Sequence, residues 1–582
     1  MTERIDKRNA GASSELGRLV HVARGDAPAD IVLRNARLVN VYSGEVHPAD
    51  VAVYNARIAG IGKGYSAEQE IDLQNSYLAP GLIDAHVHIE SSMVGVRQYA
   101  DAVVPRGVTS VVADPHEIAN VLGLDGIRYM FDQAKYGRLS MFVMVPSCVP
   151  ATPMATAGAL LEAKDIVALQ NDPWVLGLGE MMNYPGVVNE DPGVLEKIQA
   201  FSTRVLDGHA PALTGKALNA YLAAGIGSDH ECTTVEEALE KLRLGTYILI
   251  RDATNAHDLE NLLPMVTPDN ARRICFCTDD RHPGDLLDYG SVDFLVRTAL
   301  RSGIDIVTAV RMATLNTAEW FRMYDRGGIR PGNRADLIVF DDPEEFRVRL
   351  VIRSGQIVAE SGHMLPFNLP ERPTYLRGTM NVNWNSVDFS IPAEGRNARV
   401  IGVVPEQLVT EKRTLEIASA AGVAMPDQER DIAKIAVIER HMASGRVGKG
   451  FVQGLGIRRG AIASTIAHDH HNLIVAGTDN VSLTTAAGAV ADMGGGLAVA
   501  DGIRVLARLP LPVAGLMSTR PITEVRKALD EVIGASRNLG SGLRDPLMSL
   551  SFLALEVIPH LKLTDQGLVD VDQFKLVPLW AD

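Results

Sequence analysis

Two histidines one residue apart, His86 and His88, end the apolar run Ala79-Pro-Gly-Leu-Ile-Asp-Ala85. Residues two apart on a β-strand face the same side, so both imidazoles point together. Four further ligand-type residues close later apolar runs. Glu180 ends Val175-Leu-Gly-Leu-Gly-Glu, and His209 follows Leu206-Asp-Gly. His230 lies near the end of Ala224–Glu231, and Asp279 near the end of Ile274–Arg281. Singly, each of these four suits a satisfied polar core residue or a helix cap equally well. Together with His86 and His88 they make four imidazoles and two carboxylates, the donor demand of two divalent cations sharing a carboxylate. Such a pair lowers the pKa of water from about 15.7 towards about 7 and so supplies hydroxide near neutral pH. The expected chemistry is hydrolysis of a C–N bond, with Asp279 placed to carry the proton from the water to the leaving group.

These residues need elements to bring them together. The block from 80 to 325 alternates strand-like runs with helical stretches. The runs are Gly107–Ala113, Met141–Pro146, Trp174–Gly179, Gly225–Ser228, Tyr247–Ile250, Ile274–Thr278 and Ile304–Ile306; Asn189–Asp207 and Val235–Leu244 are amphipathic. Strand–helix repetition predicts a parallel sheet. Some eight units in about 245 residues is the size of a (β/α)₈ barrel, whose sites form at the carboxyl ends of its strands. Residues 31–79 read as short strands (Ile31–Leu33, Ala36–Val41, Asp50–Tyr54, Arg57–Ile61), and the pattern returns at Ala335–Phe340, Arg347–Ile352 and Gln356–Glu360. Both ends of the block thus complete one small sheet domain. The Pro-rich stretch from Leu365 to Pro373 reads as a linker to a mixed α+β segment.

Composition narrows the classes. The chain of 582 residues is 46% apolar and 22% charged, which excludes collagen-like, disordered and coiled-coil proteins. Its formal net charge of −15 argues against nucleic acid as the main partner. Four cysteines without a CxxC pair exclude a disulfide framework and a zinc ribbon. No run of about 18 apolar residues spans a membrane, and the polar N-terminus has no apolar core for a signal peptide; a cytoplasmic location is expected. His88-Ile89-Glu90 lacks the Pro-Cys-x-x-Cys of cytidine-deaminase-type sites. His116-Glu117 and His230-Glu231 lack the second histidine of a zincin, and Thr214-Gly215-Lys216-Ala217 lacks the P-loop glycine pattern.

The order HxH, acidic bridge, His, His, Asp resembles the amidohydrolase superfamily, metal-dependent hydrolases on a (β/α)₈ barrel. Within it the chain resembles the bacterial adenine deaminase family, through PGLIDAHVHIESSM, ADPHEIANV (113–121), GLGEMMNYPGV (177–187), DGHAP (207–211), SDHE (228–231), TDDR (278–281), HDHHN (468–472) and MGGG (493–496). The resemblance runs from about residue 30 to the end. It implies an α/β fold: a TIM barrel over 80–326, a small discontinuous β-sandwich domain over 1–79 and 327–372, and an α+β C-terminal domain over 373–582. It implies that His86, His88 and Asp279 hold one metal, His209 and His230 the other, with Glu180 bridging. Mn²⁺ or Fe²⁺ is implied, although the donors suit Zn²⁺ equally. The implied substrate is adenine, deaminated in purine salvage by a homodimer or larger oligomer. The competing readings are another binuclear amidohydrolase acting on a cyclic amide or imide, and a non-catalytic scaffold of the same fold.

Protonation of the ring nitrogens during attack falls to Glu231, Asp114, His116 or Glu117, with Glu90 and Asp280 as weaker candidates; each is equally a residue that orients a ligand. Met182 and Tyr184, beside Glu180, suit the lining of a base pocket or ordinary loop packing. His468, His470 and His471 suit an additional metal, a contact near an active site, or a polar turn, with His468 and His470 expected on one strand face.

Overall fold

The structure, a computed structural model, describes residues 15–135, 137–367, 376–405 and 407–581. The first 14 residues and most of the Pro-rich stretch, from 368 on, lie outside these. The central block forms strands β1 (Leu82–Val87), β2 (Val108–Ala113), β3 (Ser140–Val145), β4 (Val175–Met181), β5 (Val205–Gly208), β6 (Ser228–Asp229), β7 (Tyr247–Arg251) and β8 (Ile274–Cys277). Pairing is parallel from β1 through β5 and from β6 through β8. Gly227 donates to the Leu206 carbonyl at 3.1 Å across the β5–β6 gap. A parallel bridge between Val87 and Asp279 joins β8 back to β1. The result is a TIM-barrel-like α/β fold. Helices cover the outside of the ring, so its strands are buried on both faces and read as nearly continuous apolar runs. Gly177 in β4 is required by close approach, because a Cβ there would strike the Val205 carbonyl.

One expected strand is a helix. Ile304–Ile306 leads into the helix Ile306–Met312, whose N-cap Asp305 accepts from the Val307 and Thr308 amides at 3.0 Å each. The cap satisfies the first-turn amides and outweighs the β-branched run. Conversely, the amphipathic stretch 189–207 ends in β5, its helix stopping at Ala200.

The two flanking pieces zip into one nine-stranded sheet through the antiparallel pair Tyr77–Pro80 and Leu337–Phe340. The expected strands Ile31–Leu33 and Ala36–Val41 are one strand, Ala29–Asn40, with an irregularity between Leu33 and Ala36. There Asn35 takes φ 55° and its amide donates to Asp50 at 2.9 Å. The C-terminal part holds an eight-stranded sheet and the helices Asn480–Asp492, Ile522–Asn538 and Pro546–Phe552. It docks on the barrel through a shared apolar core, in which Val96 and Tyr99 join Met517, Val525 and Leu529, and through Ser518, which donates from its amide to the Met93 carbonyl at 2.8 Å. Among the described residues no helix is long and apolar enough to cross a membrane, and the four cysteines are buried and free.

Lys562, on the strand Leu561–Thr564, is fully buried. Its ammonium donates to the Leu408 and Phe552 carbonyls at 2.8 and 2.9 Å, and burial pushes its pKa down to about 7. In the unfolded chain it returns to about 10.4. Between these values the unfolded chain binds more protons, so this group adds stability as pH rises, and its destabilisation is complete only below pH 7. Lys562→Met lacks that slope. Between pH 7 and 9 the wild type gains about 2 kcal/mol on the variant, read from urea midpoints; parallel curves would contradict it.

Candidate metal centre

His86 and His88 sit at the carboxyl end of β1 with their Nε2 atoms 3.0 Å apart. The other nitrogen of each ring is engaged: His86 Nδ1 lies 3.3 Å from Asp207 Oδ2, and His88 Nδ1 donates to the Asp114 carbonyl at 2.9 Å. Such partners fix the ring and leave Nε2 as the ligand atom. Glu180, one residue before the end of β4, divides its two oxygens. Oε1 is 3.1 Å from His88 Nε2 and 3.5 Å from His86 Nε2. Oε2 is 2.7 Å from His209 Nδ1 and 3.3 Å from His230 Nε2. Asp279 Oδ1 lies 3.2 Å from His88 Nε2. The six expected residues therefore converge, and one carboxylate faces both imidazole pairs.

All six are at most 9% exposed. Burial alone would raise the Glu180 carboxyl, but the hydrogen bonds of the four imidazoles hold it well below its usual range. Burial is likewise outweighed at Asp279, by His88 and an arginine. Ionised carboxylates among convergent imidazoles fit divalent cations. His86, His88 and Glu180 can share one ion, and Glu180, His209 and His230 another.

The further expected residues surround this set. Asp114 accepts from the Glu180 amide through Oδ2 at 3.0 Å, an approach open only because residue 179 is glycine; a Cβ there would meet that carboxylate. His116 Nδ1 is 3.4 Å from Glu180 Oε1 and 3.6 Å from Asp114 Oδ1. Glu231 Oε1 is 3.4 Å from His230 Nε2 and 3.6 Å from His209 Nδ1. Glu90 accepts from the Ile118 amide at 3.2 Å, and burial pushes its pKa up to about 7. Asp280 accepts from the Ser91 hydroxyl. Met182 and Tyr184 pack in an apolar cluster with Val187 and Leu213.

The amidohydrolase family model matches residues 77–358, and the adenine deaminase C-terminal domain model matches 407–575. The chain is 52% identical over 564 residues to an adenine deaminase of Desulfatibacillum aliphaticivorans, covering 97% of this chain and 99% of that one. It is 48% identical over 563 residues to adenine deaminase 2 of Carboxydothermus hydrogenoformans, covering 96% and 99%. An adenine deaminase of Cereibacter sphaeroides is 46% identical over 563 residues, covering 97% and 99%. The chain belongs to the adenine deaminase family.

In this adenine deaminase family member the C-terminal part reaches the barrel mouth. His468 Nδ1 lies 2.5 Å from Glu117 Oε1, and His471 Nε2 bonds Glu117 Oε2. Burial would raise the Glu117 carboxyl; His468, His471 and His116 outweigh it and hold it well below its usual range. The pairing differs from the expected His468 with His470. The strand ends at Ser464 and residues 468–470 form a turn, so the rings three apart meet. His470 points elsewhere: its Nδ1 accepts from the Asn472 amide at 3.0 Å, and its carbonyl accepts from His441 at 2.7 Å.

Sequence reasoning missed Arg251. It ends β7, the position at which ligands end other strands, yet a search for ligands and bases passes over a guanidinium. Arg251 Nη1 donates to Asp279 Oδ2 at 2.9 Å and Nη2 to Glu231 Oε2 at 3.0 Å, while Nε reaches Asp258 at 3.2 Å. It is 4% exposed. A planar fork of this kind holds two carboxylates in fixed relation. Asp207, the partner of His86, was missed for another reason: in Leu206-Asp-Gly-His209 the histidine drew the assignment.

Proposed function

We propose that this chain hydrolyses adenine to hypoxanthine and ammonia. The observation that carries the reading is Glu180 set between two imidazole pairs in a chain about half identical, over nearly its whole length, to proteins named adenine deaminase. His86, His88 and Asp279 would hold one divalent cation and His209 and His230 the second, with Glu180 shared. Bound there, two cations, Mn²⁺ or Fe²⁺ with Zn²⁺ suiting the same donors, supply a water activated near neutral pH and a polarised carbon.

The chain's own groups supply the proton traffic. Water oxygen bonds to C6 of the purine, and the C6–amino bond breaks. Asp279 takes the water's proton and returns it to the leaving nitrogen, which departs as ammonia. Arg251 keeps Asp279 ionised and fixes its second oxygen, so the basic lone pair stays on Oδ1. Glu231, tied to the same guanidinium and beside His209 and His230, is our first choice for taking the second proton from the added oxygen and passing it to the ring nitrogen; Asp114, His116 and Glu117 follow, then Glu90 and Asp280. Met182 and Tyr184 are assigned to the base pocket. Burial of Asp279, Glu231, Asp114, His116, Glu117 and Glu90 excludes bulk water, which strengthens each charge interaction.

We also assign three units, 1–79 with 327–372, 80–326 and 373–582; the pairing of 77–80 with 337–340 supports the first. A homodimer acting in purine salvage rests on the resemblance alone, and a cytoplasmic location on the composition. The test is ammonia release by metal-loaded protein from adenine, with adenosine and a cyclic imide as controls. Turnover of adenine is expected; turnover of the imide in its place would favour a cyclic-amide hydrolase.

A further inference from the structure

The clamp on Glu117 carries a neighbouring residue into the barrel mouth. Asp469 lies between the two clamping histidines and is 4% exposed. Its Oδ1 is 3.9 Å from His116 Nε2, beyond hydrogen-bond reach, and its Oδ2 has no hydrogen-bond partner among the described residues. His116 in turn stands 3.4 Å from Glu180, the shared carboxylate, and its Nδ1 is also without a hydrogen-bond partner. Asp469 thus belongs to the surroundings of the metal centre, although the chain supplies it from the C-terminal part.

A buried carboxylate oxygen left unpaired costs more than an ordinary hydrogen bond returns. The residue does not stray there by loop flexibility. Its neighbour His468 is held by Glu117 and stacked on Phe552, with ring centroids 4.6 Å apart and planes within 9°. A fixed, buried acceptor oxygen with a free lone pair, on a residue beside His116 at the metal centre, is what a ligand N–H would meet. Adenine offers such donors: the imidazole N–H at N9 or N7, beside its exocyclic amine. The exocyclic amine is the group that leaves at the metal pair, so the imidazole N–H is the donor that remains for a second contact.

We propose that Asp469 is a specificity residue that accepts the imidazole N–H of the free purine base. The proposal rests on the adenine reading above. It explains in one contact why a free base would be taken and a nucleoside refused. A base substituted on that nitrogen brings no proton and leaves the carboxylate buried and unpaired, and sites built on such a bond reject the analogue lacking it by about 10⁴–10⁵-fold. The clamp acquires a role as well: His468 and His471 on Glu117 hold the C-terminal turn so that Asp469 reaches the base.

The experiment compares adenine with 9-methyladenine and 7-methyladenine in wild type, Asp469→Asn and Asp469→Ala, all metal-loaded. In wild type, methylation at one of the two nitrogens is expected to lower kcat/KM by at least about 10³-fold. In Asp469→Ala, KM for adenine rises about tenfold or more, metal content is unchanged, and the penalty for the methyl group falls to about tenfold or less. Asp469→Asn, which keeps volume and one acceptor oxygen, falls between. A methyl penalty equal in wild type and Asp469→Ala would overturn the proposal, showing a structural role only. So would wild-type turnover of both methylated bases within tenfold of adenine, a result that does not depend on any variant folding. Absence of adenine turnover by wild type would instead overturn the functional reading itself, before any variant is compared.

Discussion

Glu180→Ala abolishes adenine turnover, by about 10⁴-fold or more, and lowers bound metal from two equivalents to one or fewer. Both effects follow from the division of its oxygens, with Oε1 towards His86 and His88 and Oε2 towards His209 and His230. Asp279 also stands near one imidazole of each pair, His86 and His230, but its Oδ2 is held by Arg251. Glu231 reaches only His209 and His230, so among the described residues Glu180 alone divides both of its oxygens between the pairs. Glu180→Gln separates charge from shape. The amide keeps one oxygen acceptor, so one cation is retained and activity is still lost. Metal analysis beside steady-state kinetics reads both results. Two equivalents of metal with wild-type kcat in Glu180→Ala would contradict the assignment.

Arg251→Met lowers kcat/KM by about 10²–10³-fold while leaving metal content near that of wild type. The guanidinium is buried against Asp279, Glu231 and Asp258. Removing one member of such a set leaves the others as uncompensated buried charge, at a cost of about 3–5 kcal/mol. That strain falls on Asp279, whose proton affinity Arg251 holds down. The loss therefore appears in kcat more than in KM. Arg251→Lys restores charge but not the fork, because an ammonium presents a point charge and cannot span both carboxylates in one plane; recovery is partial. Unchanged kcat in Arg251→Met would remove this residue from the proton path.

The contrast between Glu180 and Arg251 shows which parts of the site were legible in the sequence. His86 and His88 could be placed because strand period alone puts both rings on one side, and the apolar run before them buries that side. Glu180, His209, His230 and Asp279 were legible only as a set, each closing a strand-like run. Arg251 obeys the same rule of position but belongs to a residue type that does not ligate metal. His471 was displaced by His470 in the expected pairing because the strand was extended too far; a turn at 468–470 changes the relevant spacing from two to three. Ile304–Ile306 fails for a related reason: two isoleucines one residue apart resemble a strand, yet Asp305 between them caps a helix. The contact of Asp469 with the barrel was out of reach entirely, since 351 residues separate His468 from the Glu117 that positions it.

The central claim is that a two-metal centre on these six residues deaminates adenine. The most direct measurement titrates metal-free protein with Mn²⁺ and follows ammonia released from adenine. Activity is expected to rise with added metal and level off at two equivalents per chain. No ammonia at any loading, or a plateau reached at one equivalent, would contradict it.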